Sequence, residues 1–423
     1  MRSGQRAPSA GALAALVACT LAIAGCATVP EARDTGTAAA SATGERWAQQ
    51  FPPSPATIAM RQQWLNPAIN SFTFRETGNV FASRAVEAPA VAWPLPEGAG
   101  FAMPNARVAR SEAAYDAWAD RTFTNAFLVM RDGRIVFEDY RNRMTPATRH
   151  IAFSMSKTIT ALLYGTAMAK GEIASLDDPV TRYVPELSAS GYGKATIRNL
   201  LEMRSGVDAD ERYDFGENPS FAARMHETAI VRNERRFADF GRDVGSRNAP
   251  GSTFNYLTLD TMVLGWVLER ATGQSFERLT QERLWRPLGA ESEAFWLVDG
   301  PPGEGRALNG MGFNATLRDF ARLGQLMLDK GQANGRQIVP ADWVETMTRM
   351  KPTGGPMPGY GLQTWQVDEE PGAFAAVGLA GQLIYVHPAS RTVIVKLSYF
   401  PPVEPDWLRD EVFGYFARIA RSN

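Results

Sequence analysis

The order of strand and helix patterns along the chain limits its fold more than any other feature. Two apolar, strand-like runs, 127–130 and 135–140, flank Asp132-Gly133, a residue pair that favours a tight hairpin turn. Further strand patterns cover 359–366, 374–377, 383–386 and 392–397, a last helix pattern covers 407–420, and the middle of the chain is mostly helical. This order predicts an α/β fold in which both ends of the chain form one antiparallel sheet flanked by helices, with an all-helical lobe inserted over about 176–330.

Composition supports a large globular core and argues against one class of partner. The chain has 423 residues, of which 45% are hydrophobic and 21% are charged, which suffices for a substantial core. The formal net charge is −1 and the two signs are well mixed along the chain. Nucleic-acid binding needs a basic field, so we expect no nucleic-acid partner.

The N-terminus has the residue order of an export signal. Arg2 and Arg6 precede an apolar run over 10–24, which ends in Ile-Ala-Gly-Cys at 23–26. This ending resembles the bacterial lipoprotein signal, which implies cleavage before Cys26 and attachment of lipid to its thiol. Because Ala27 replaces the aspartate associated with inner-membrane retention, we expect a cell-envelope lipoprotein, anchored in the outer membrane by its lipid and facing the periplasm. A plain signal peptide and an uncleaved anchor are the alternatives, although the apolar run is shorter than the ~20 residues of a membrane span.

The expected domain organisation follows from these patterns. We predict a signal peptide over 1–25, a lipoprotein tether and irregular arm over 26–105, and a folded domain over 106–423. The only cysteines are Cys19 and Cys26, so the mature domain is expected to have neither a disulfide nor a thiol nucleophile. The three histidines lack the close spacing of a zinc pair, and the sequence implies no metal ion and no organic cofactor.

Ser154 and Lys157 form the strongest candidate for chemistry. They lie three residues apart at the start of a helix predicted over 154–170, so their side chains share one helical face. A serine hydroxyl needs a base to become a nucleophile, and a lysine is a base only where burial or neighbouring charge disfavours its protonation. No other lysine of the chain has a serine three residues before it. The pair therefore predicts acyl transfer, with the free Ser154 N–H at the helix start as one oxyanion donor. The alternative is a pair on a surface helix without a catalytic role.

A family resemblance rests on several segments in a fixed order. They are Ser154-x-x-Lys157, 176–187, 197–206 and 250–256. From about Phe127 to its end, the chain resembles the serine β-lactamase-related superfamily, which includes class C β-lactamases, DD-peptidases and family VIII carboxylesterases. Segments 260–266 and 314–319, together with Gly381-Gln382, resemble most the 6-aminohexanoate-dimer hydrolase branch. The resemblance implies the β-lactamase/transpeptidase-like form of the predicted α/β fold.

The resemblance also implies roles for individual residues. Ser154 would be the acylated nucleophile, Lys157 its base, and Tyr256 a proton shuttle to the leaving group. The family's third motif would fall at 376–378, which makes the backbone N–H of Leu379 the second oxyanion donor. For Tyr256, a purely structural role in the core is the alternative.

Two positions depart from the family pattern and bear on the substrate. Thr258 stands where the family has asparagine, and Ala376 stands where a basic or polar residue recognises the carboxylate of β-lactams and peptidoglycan peptides. Both departures move the expected substrates away from β-lactams. The substrate-binding residues implied by the resemblance are Tyr213, Thr258, Trp365 and Gln382. A surface loop position for Tyr213 and a core position for Trp365 are the alternatives.

We therefore expect a serine hydrolase that cleaves small esters or linear amides through an acyl-enzyme, similar to a carboxylesterase or to 6-aminohexanoate-dimer hydrolase. On the same fold, the alternative is a DD-peptidase or weak β-lactamase that acts on cell-wall peptides. From another class, the alternative is a non-catalytic envelope lipoprotein that binds such fragments. A Ser-His-Asp hydrolase is disfavoured because the chain has no Gly-x-Ser-x-Gly segment. The sequence specifies neither the acyl group nor the oligomeric state.

Overall fold

The computed structural model describes residues 46–109, 111–367 and 372–422. The predicted signal peptide, Cys19 and Cys26 lie outside these ranges. The α-helices α1 to α13 span Pro55–Gln62, Asn70–Thr73, Thr77–Val80, Tyr115–Arg121, Ser156–Ala169, Ile197–Leu201, Phe221–Met225, Thr258–Thr272, Phe276–Thr280, Arg286–Leu288, Leu317–Leu328, Ala341–Met347 and Asp406–Arg421. The strands β1 to β16 span Ser83–Val86, Ala106–Val108, Ser111–Ala113, Thr124–Arg131, Arg134–Tyr140, His150–Ile151, Ala294–Leu297, Phe313–Ala315, Gln332–Ala333, Arg336–Gln337, Lys351–Pro352, Gly359–Tyr360, Trp365–Gln366, Phe374–Gly378, Gln382–His387 and Thr392–Ser398.

An eight-stranded sheet joins the two ends of the folded domain. Its strand order is β11-β12-β13-β14-β15-β16-β4-β5. The C-terminal strand β16 pairs antiparallel with β4, with Ile394 opposite Val129. In the β4–β5 hairpin, Asp132 and Gly133 have φ values of 47° and 75°, as a two-residue turn of the favoured hairpin type requires. The predicted hairpin and the predicted sheet built from both ends are confirmed.

Helices cover both faces of this sheet. On one face α11 packs so closely that a Cβ added to Gly324 would lie 2.4 Å from Val393 Cγ1. On the other face Phe416 of α13 contacts Tyr385 and Phe127, with ring centroids 5.7 and 5.9 Å apart. Neighbouring strand residues point to opposite faces, so the sheet is the middle layer between helices. The predicted α/β class, with an antiparallel sheet flanked by helices, is confirmed.

The middle of the chain differs in part from the predicted all-helical lobe over 176–330. Its regular structure is helical, with loops between the helices, to the end of α10 at Leu288, and then β7 and β8 form a second antiparallel sheet in the order β1-β7-β8-β6. Every residue of Ala294–Leu297 is buried. A short run that is buried on both faces lacks alternation, so its pattern does not distinguish a strand from a helix.

Residues 46–105 also differ from the predicted irregular arm. They contain α1 to α3, and β1 pairs with β7, with Ser83 opposite Leu297. Trp64 and Phe74 are buried in the same core as the rest of the domain. The described residues from 46 onward accordingly belong to one compact unit, and no boundary exists near Ala106. Over the described ranges, no helix has both the length and the apolar character needed to cross a membrane.

The C-terminal strands follow the predicted segments with one correction. Segment 359–366 is not a single strand, because the chain reverses between β12 and β13. Gln363, inside this reversal, has φ of 57°, and its buried amide donates to the carbonyls of Leu200 and Leu201. The contacts of this side chain with α6 stabilise a turn that the strand-like pattern of the sequence does not predict.

Candidate active site

Ser154 lies in a 3₁₀ turn, Phe153–Met155, that leads directly into α5. Phe153 has φ of 45°, a left-handed conformation that costs a non-glycine residue about 1 to 2 kcal/mol. Its ring packs against Phe74 and Trp64, with centroids 4.9 and 5.2 Å apart, and these contacts hold the strained turn. Since α5 is buried along most of its length, Ser154 is presented from a rigid element. The predicted helix start is confirmed, with a tighter first turn.

Lys157 is held by three oxygen atoms. Its Nζ lies 2.9 Å from Ser154 Oγ, 2.9 Å from Thr258 Oγ1 and 2.8 Å from the Gly310 carbonyl oxygen. Burial lowers the pKa of Lys157 to about 8, so the neutral amine is readily populated. A neutral amine has two N–H groups and one lone pair. With Thr258 and Gly310 accepting the two N–H groups, the lone pair faces the Ser154 hydroxyl, as a base requires.

Glu211 determines the direction of the hydrogen bonds that the Thr258 hydroxyl makes. The Thr258 hydroxyl donates to Glu211 Oε1 at 2.6 Å, and the Thr258 N–H donates to Oε2 at 2.8 Å. Because its single proton goes to Glu211, the Thr258 oxygen is left to accept from Lys157. Thr258 lines the cavity, but its hydroxyl has no proton left to donate to a substrate. Of the two roles expected of the family's asparagine, it keeps only the hydrogen bond to the lysine.

Tyr213 reaches the same carboxylate. Its hydroxyl donates to Glu211 Oε1 at 2.7 Å, and its ring lines the cavity in front of Ser154. Glu211 links Tyr213 to Thr258, a role that its sequence context does not predict. Acidic residues are common in loops, and nothing in the local pattern marks this one. Its negative charge also raises the pKa of Lys157 and so opposes the effect of burial.

Tyr256 also contacts the nucleophile. Its hydroxyl is hydrogen-bonded to Ser154, and Lys157 Nζ is 5.0 Å from its ring centroid. The ring packs against Trp365, with centroids 5.3 Å apart. Burial raises the pKa of Tyr256, so the phenol keeps its proton over the ordinary pH range and is able to donate it. The structure thus brings Ser154, Lys157 and Tyr256 together as predicted.

Ser154 opens into a cavity of about 390 Å³. Apolar side chains make up most of its wall, and they come from the N-terminal arm, the helical part and the C-terminal strands: Trp64, Leu65, Phe153, Phe254, Met311, Met357, Trp365, Val377 and Leu379. Trp365 is therefore at the cavity, as predicted. Trp64 and His226 are cavity residues that the sequence analysis missed, and the indole N–H of Trp64 donates to His226 Nε2 at 3.2 Å.

The end of β14 lies directly against the nucleophile turn. A Cβ added to Gly378 would lie 2.3 Å from the Ala152 carbonyl oxygen and 3.3 Å from the Ser154 nitrogen. Only glycine permits this approach, and the next residue, Leu379, lines the cavity. Ala376 is buried and does not reach the cavity. The segment 376–378 therefore lies where the third motif was expected, without a basic side chain.

The prediction that Gln382 binds substrate is wrong. The side chain is fully buried, and its Nε2 donates to the carbonyls of Leu379, Ala380 and Ser398. No polar atom of the amide is left to face the cavity. In the sequence, a buried structural glutamine and a substrate-binding glutamine look alike.

The histidines are not arranged as metal ligands. In the parts of the chain that the structure describes, no group of three or more His, Cys, Asp or Glu residues is placed to hold a metal ion. His150 is buried beside Asn125, with Nε2 and Nδ2 3.1 Å apart, and His226 pairs with Trp64. Burial lowers the pKa of both imidazoles to about 4, so both are neutral.

Comparisons with known sequences point to one family. The profile of the beta-lactamase family matches residues 110–413, which is more than half of the chain. The 6-aminohexanoate-dimer hydrolase of Paenarthrobacter ureafaciens is 31% identical over 385 residues, which cover 87% of this chain and 94% of that enzyme. Esterase EstB of Burkholderia gladioli is 32% identical over 210 residues, which cover 44% of this chain and 51% of the esterase.

Solved structures agree at the level of the fold. A Bacillus anthracis protein provisionally named 6-aminohexanoate-dimer hydrolase has a TM-score of 0.76 at 24% identity, covering 84% of this chain and 95% of its own. A family VIII carboxylesterase has a TM-score of 0.56 at 17% identity, covering 72% and 96%. The resemblance predicted from the motifs is confirmed. The chain belongs to the beta-lactamase family of hydrolases, in the group that contains the 6-aminohexanoate-dimer hydrolase.

Proposed function

We propose that this protein is a serine hydrolase that cleaves small esters or linear amides through an acyl-enzyme formed on Ser154. One observation carries the proposal: buried Lys157 Nζ contacts Thr258 Oγ1, the Gly310 carbonyl oxygen and Ser154 Oγ at the wall of the cavity. When the amine is neutral, Thr258 and Gly310 accept its two N–H groups and its lone pair meets the Ser154 hydroxyl. A surface Ser-Lys pair would be solvated and protonated. A site that only binds ligands does not require a desolvated lysine beside a serine.

The proposed acylation begins when Ser154 Oγ attacks the substrate carbonyl carbon and gives its proton to Lys157. The oxyanion that forms accepts hydrogen bonds from the N–H groups of Ser154 and Leu379. As the C–O or C–N bond breaks, Tyr256 donates its proton to the leaving alcohol or amine and regains one from Lys157. A water molecule then attacks the acyl carbon, its proton returns to Ser154 Oγ, and the acid leaves. Each group ends in its starting protonation state.

The composition of the cavity wall favours apolar, linear substrates. Most of its side chains are apolar, and Ala376 offers no positive charge to a β-lactam carboxylate. The relatives named above as an amide hydrolase and an esterase fit the same substrate class. We infer an aliphatic acyl group, and a preference for open-chain esters and amides over β-lactams.

A substrate panel tests the proposal. Purified protein without residues 1–26 should hydrolyse p-nitrophenyl butyrate and linear amides such as 6-aminohexanoate dimer, and Ser154→Ala should lose both activities. A cephalosporin and a D-Ala-D-Ala peptide, assayed in the same way, test the alternative substrate classes. Faster turnover of either one than of every ester and linear amide would contradict the proposed substrate class and favour the DD-peptidase or β-lactamase alternative.

We also propose that Cys26 is lipidated and anchors the protein at the outer membrane facing the periplasm. The support is the sequence of the first 27 residues alone. Growth with an alkyne-tagged palmitate should label the wild-type protein in the outer-membrane fraction, and Cys26→Ser should abolish the label. Labelling of Cys26→Ser, or an unlabelled soluble wild-type protein, would contradict this.

A further inference from the structure

The turn between β14 and β15 adopts an unusual backbone conformation. It consists of Leu379, Ala380 and Gly381, and the last two have φ values of 57° and 81°. Glycine tolerates this left-handed region, but alanine does so at a cost, so other contacts must hold the turn in place. Leu379 begins the turn, and its N–H is the proposed second oxyanion donor.

Gln382 supplies most of these contacts. Its Nε2 donates to Leu379 O at 3.2 Å, to Ala380 O at 3.1 Å and to Ser398 O at 2.9 Å, while its Oε1 accepts from Ser398 N at 2.9 Å. The side chain is fully buried, so water does not compete for these bonds. Two of these carbonyls, those of Leu379 and Ala380, belong to the two peptide groups that follow the Leu379 Cα atom. Holding them fixes the direction in which the chain leaves Leu379.

These bonds attach the turn to the rigid sheet. Ser398 is the last residue of β16, and its hydroxyl accepts from the fully buried Lys396 Nζ at 2.5 Å. The same Lys396 Nζ donates to the Thr122 carbonyl at 2.7 Å, just before β4. Phe400 N donates to Ala380 O at 3.1 Å from the same side. The chain of contacts thus runs from the central strands to the turn.

We propose that Gln382 is a positioning residue that holds the Leu379 N–H in place as an oxyanion donor beside Ser154. The inference rests on the proposed function. Oxyanion donors accelerate acyl transfer only where they are fixed before the charge develops, and a small displacement of a donor reduces the rate strongly. Gly378 fixes the near side of this segment against the Ala152 carbonyl, and Gln382 fixes its far side.

The test is Gln382→Met, which keeps the side-chain length and removes all four hydrogen bonds. With p-nitrophenyl butyrate, kcat should fall by about 10- to 100-fold while KM stays within about 3-fold, because the lost interaction acts on the transition state. Butaneboronic acid forms an adduct with the serine that places an oxygen in the oxyanion position. Its inhibition constant should rise in proportion to the loss in kcat.

Gln363→Met is the matched control. Gln363 is also a buried glutamine in a left-handed turn, and its amide donates to Leu200 O and Leu201 O, but it does not contact the 379–381 turn. We expect both variants to lower the melting temperature, and only Gln382→Met to change kcat and boronate affinity. If Gln382→Met does not fold, Gln382→Asn, which withdraws the amide by one methylene, should give the same proportional losses.

Two results would overturn the inference: Gln382 variants that retain kcat and boronate affinity, or a Gln363→Met variant that loses both equally. Failure of the proposed function is distinguishable from either. It would appear as activity that survives Ser154→Ala, whereas failure of this inference alone would appear as activity that needs Ser154 and ignores Gln382.

Discussion

The surroundings of the nucleophile and the walls of the cavity are built on different principles. Around Ser154, the side chains of Lys157, Thr258 and Glu211 are joined by hydrogen bonds that fix each group in one orientation. The cavity wall instead consists mainly of apolar side chains, such as Trp64 and Met311, from segments far apart in the sequence. Directional bonds determine the reaction type, whereas the shape of an apolar surface determines which acyl group fits.

Removing the nucleophile or its base gives the largest expected effect. Ser154→Ala and Lys157→Met should each lower kcat/KM for p-nitrophenyl butyrate by about 10⁴-fold or more, because each deletes a group that changes bonding in the transition state. Steady-state kinetics on variants with native circular dichroism would measure this. A loss below tenfold for either variant would show that the polar network does not determine the reaction.

Tyr256→Phe should have the next largest effect. It removes only the hydroxyl that is hydrogen-bonded to Ser154 and leaves the ring on Trp365. We expect kcat to fall by about 10²- to 10³-fold, the range of a lost general acid. The loss should be greater for an amide than for a p-nitrophenyl ester, since an amine must be protonated to leave. An equal loss for both would contradict the proton-donor role.

A change in the wall should alter preference instead of rate. Met357 lines the cavity and is 7% exposed, and Met357→Ala widens the cavity. The ratio of kcat/KM for p-nitrophenyl octanoate to that for the acetate should rise by about 10-fold, while the acetate value stays within about 2-fold. Met60→Ala, on the exposed side of α1, is the control. An equal loss for both esters would mean that the wall also positions the reacting groups.

The smallest expected effect is on pH dependence. Burial lowers the pKa of Lys157 to about 8, so kcat/KM should rise with pH through about 8 as the amine loses its proton. Glu211 raises that pKa, so Glu211→Gln should lower it and move the rising limb to lower pH. Glu404→Gln, at a cavity carboxylate paired with Arg409 at 2.8 Å, should leave the limb in place. A shift of the Glu211→Gln limb to higher pH would contradict the assignment of the limb to Lys157.

Local patterns in the sequence were sufficient for part of this arrangement. The three-residue spacing of Ser154 and Lys157 brings them together in any helix, and Asp132-Gly133 between two strand patterns favours a tight hairpin turn. Glu211 could not be found in this way, because its contact joins residues 47 positions apart through an irregular loop. Trp64 could not be found in this way either, since an aromatic side chain in a segment without clear periodicity has no local partner that would place it at a cavity.

The incorrect predictions have physical causes as well. The strand at 294–297 is buried on both faces and therefore has no alternating pattern. Gln382 has the same chemical groups whether it meets a substrate or a backbone carbonyl, and only the path of the 379–381 turn decides between them. Sequence patterns identified Ser154 and Lys157 because that pair is local, and they described the walls poorly because distant segments form them.

The site of acylation is the decisive measurement for the role of Ser154 as nucleophile. Wild-type protein mixed with p-nitrophenyl butyrate and quenched in acid within the burst phase should carry one butyryl group, and peptide mass spectrometry should place it on Ser154. Lys157→Met should release p-nitrophenol without a burst and carry no butyryl group. A butyryl group on any other residue, or normal turnover of the ester by Ser154→Ala, would contradict the account.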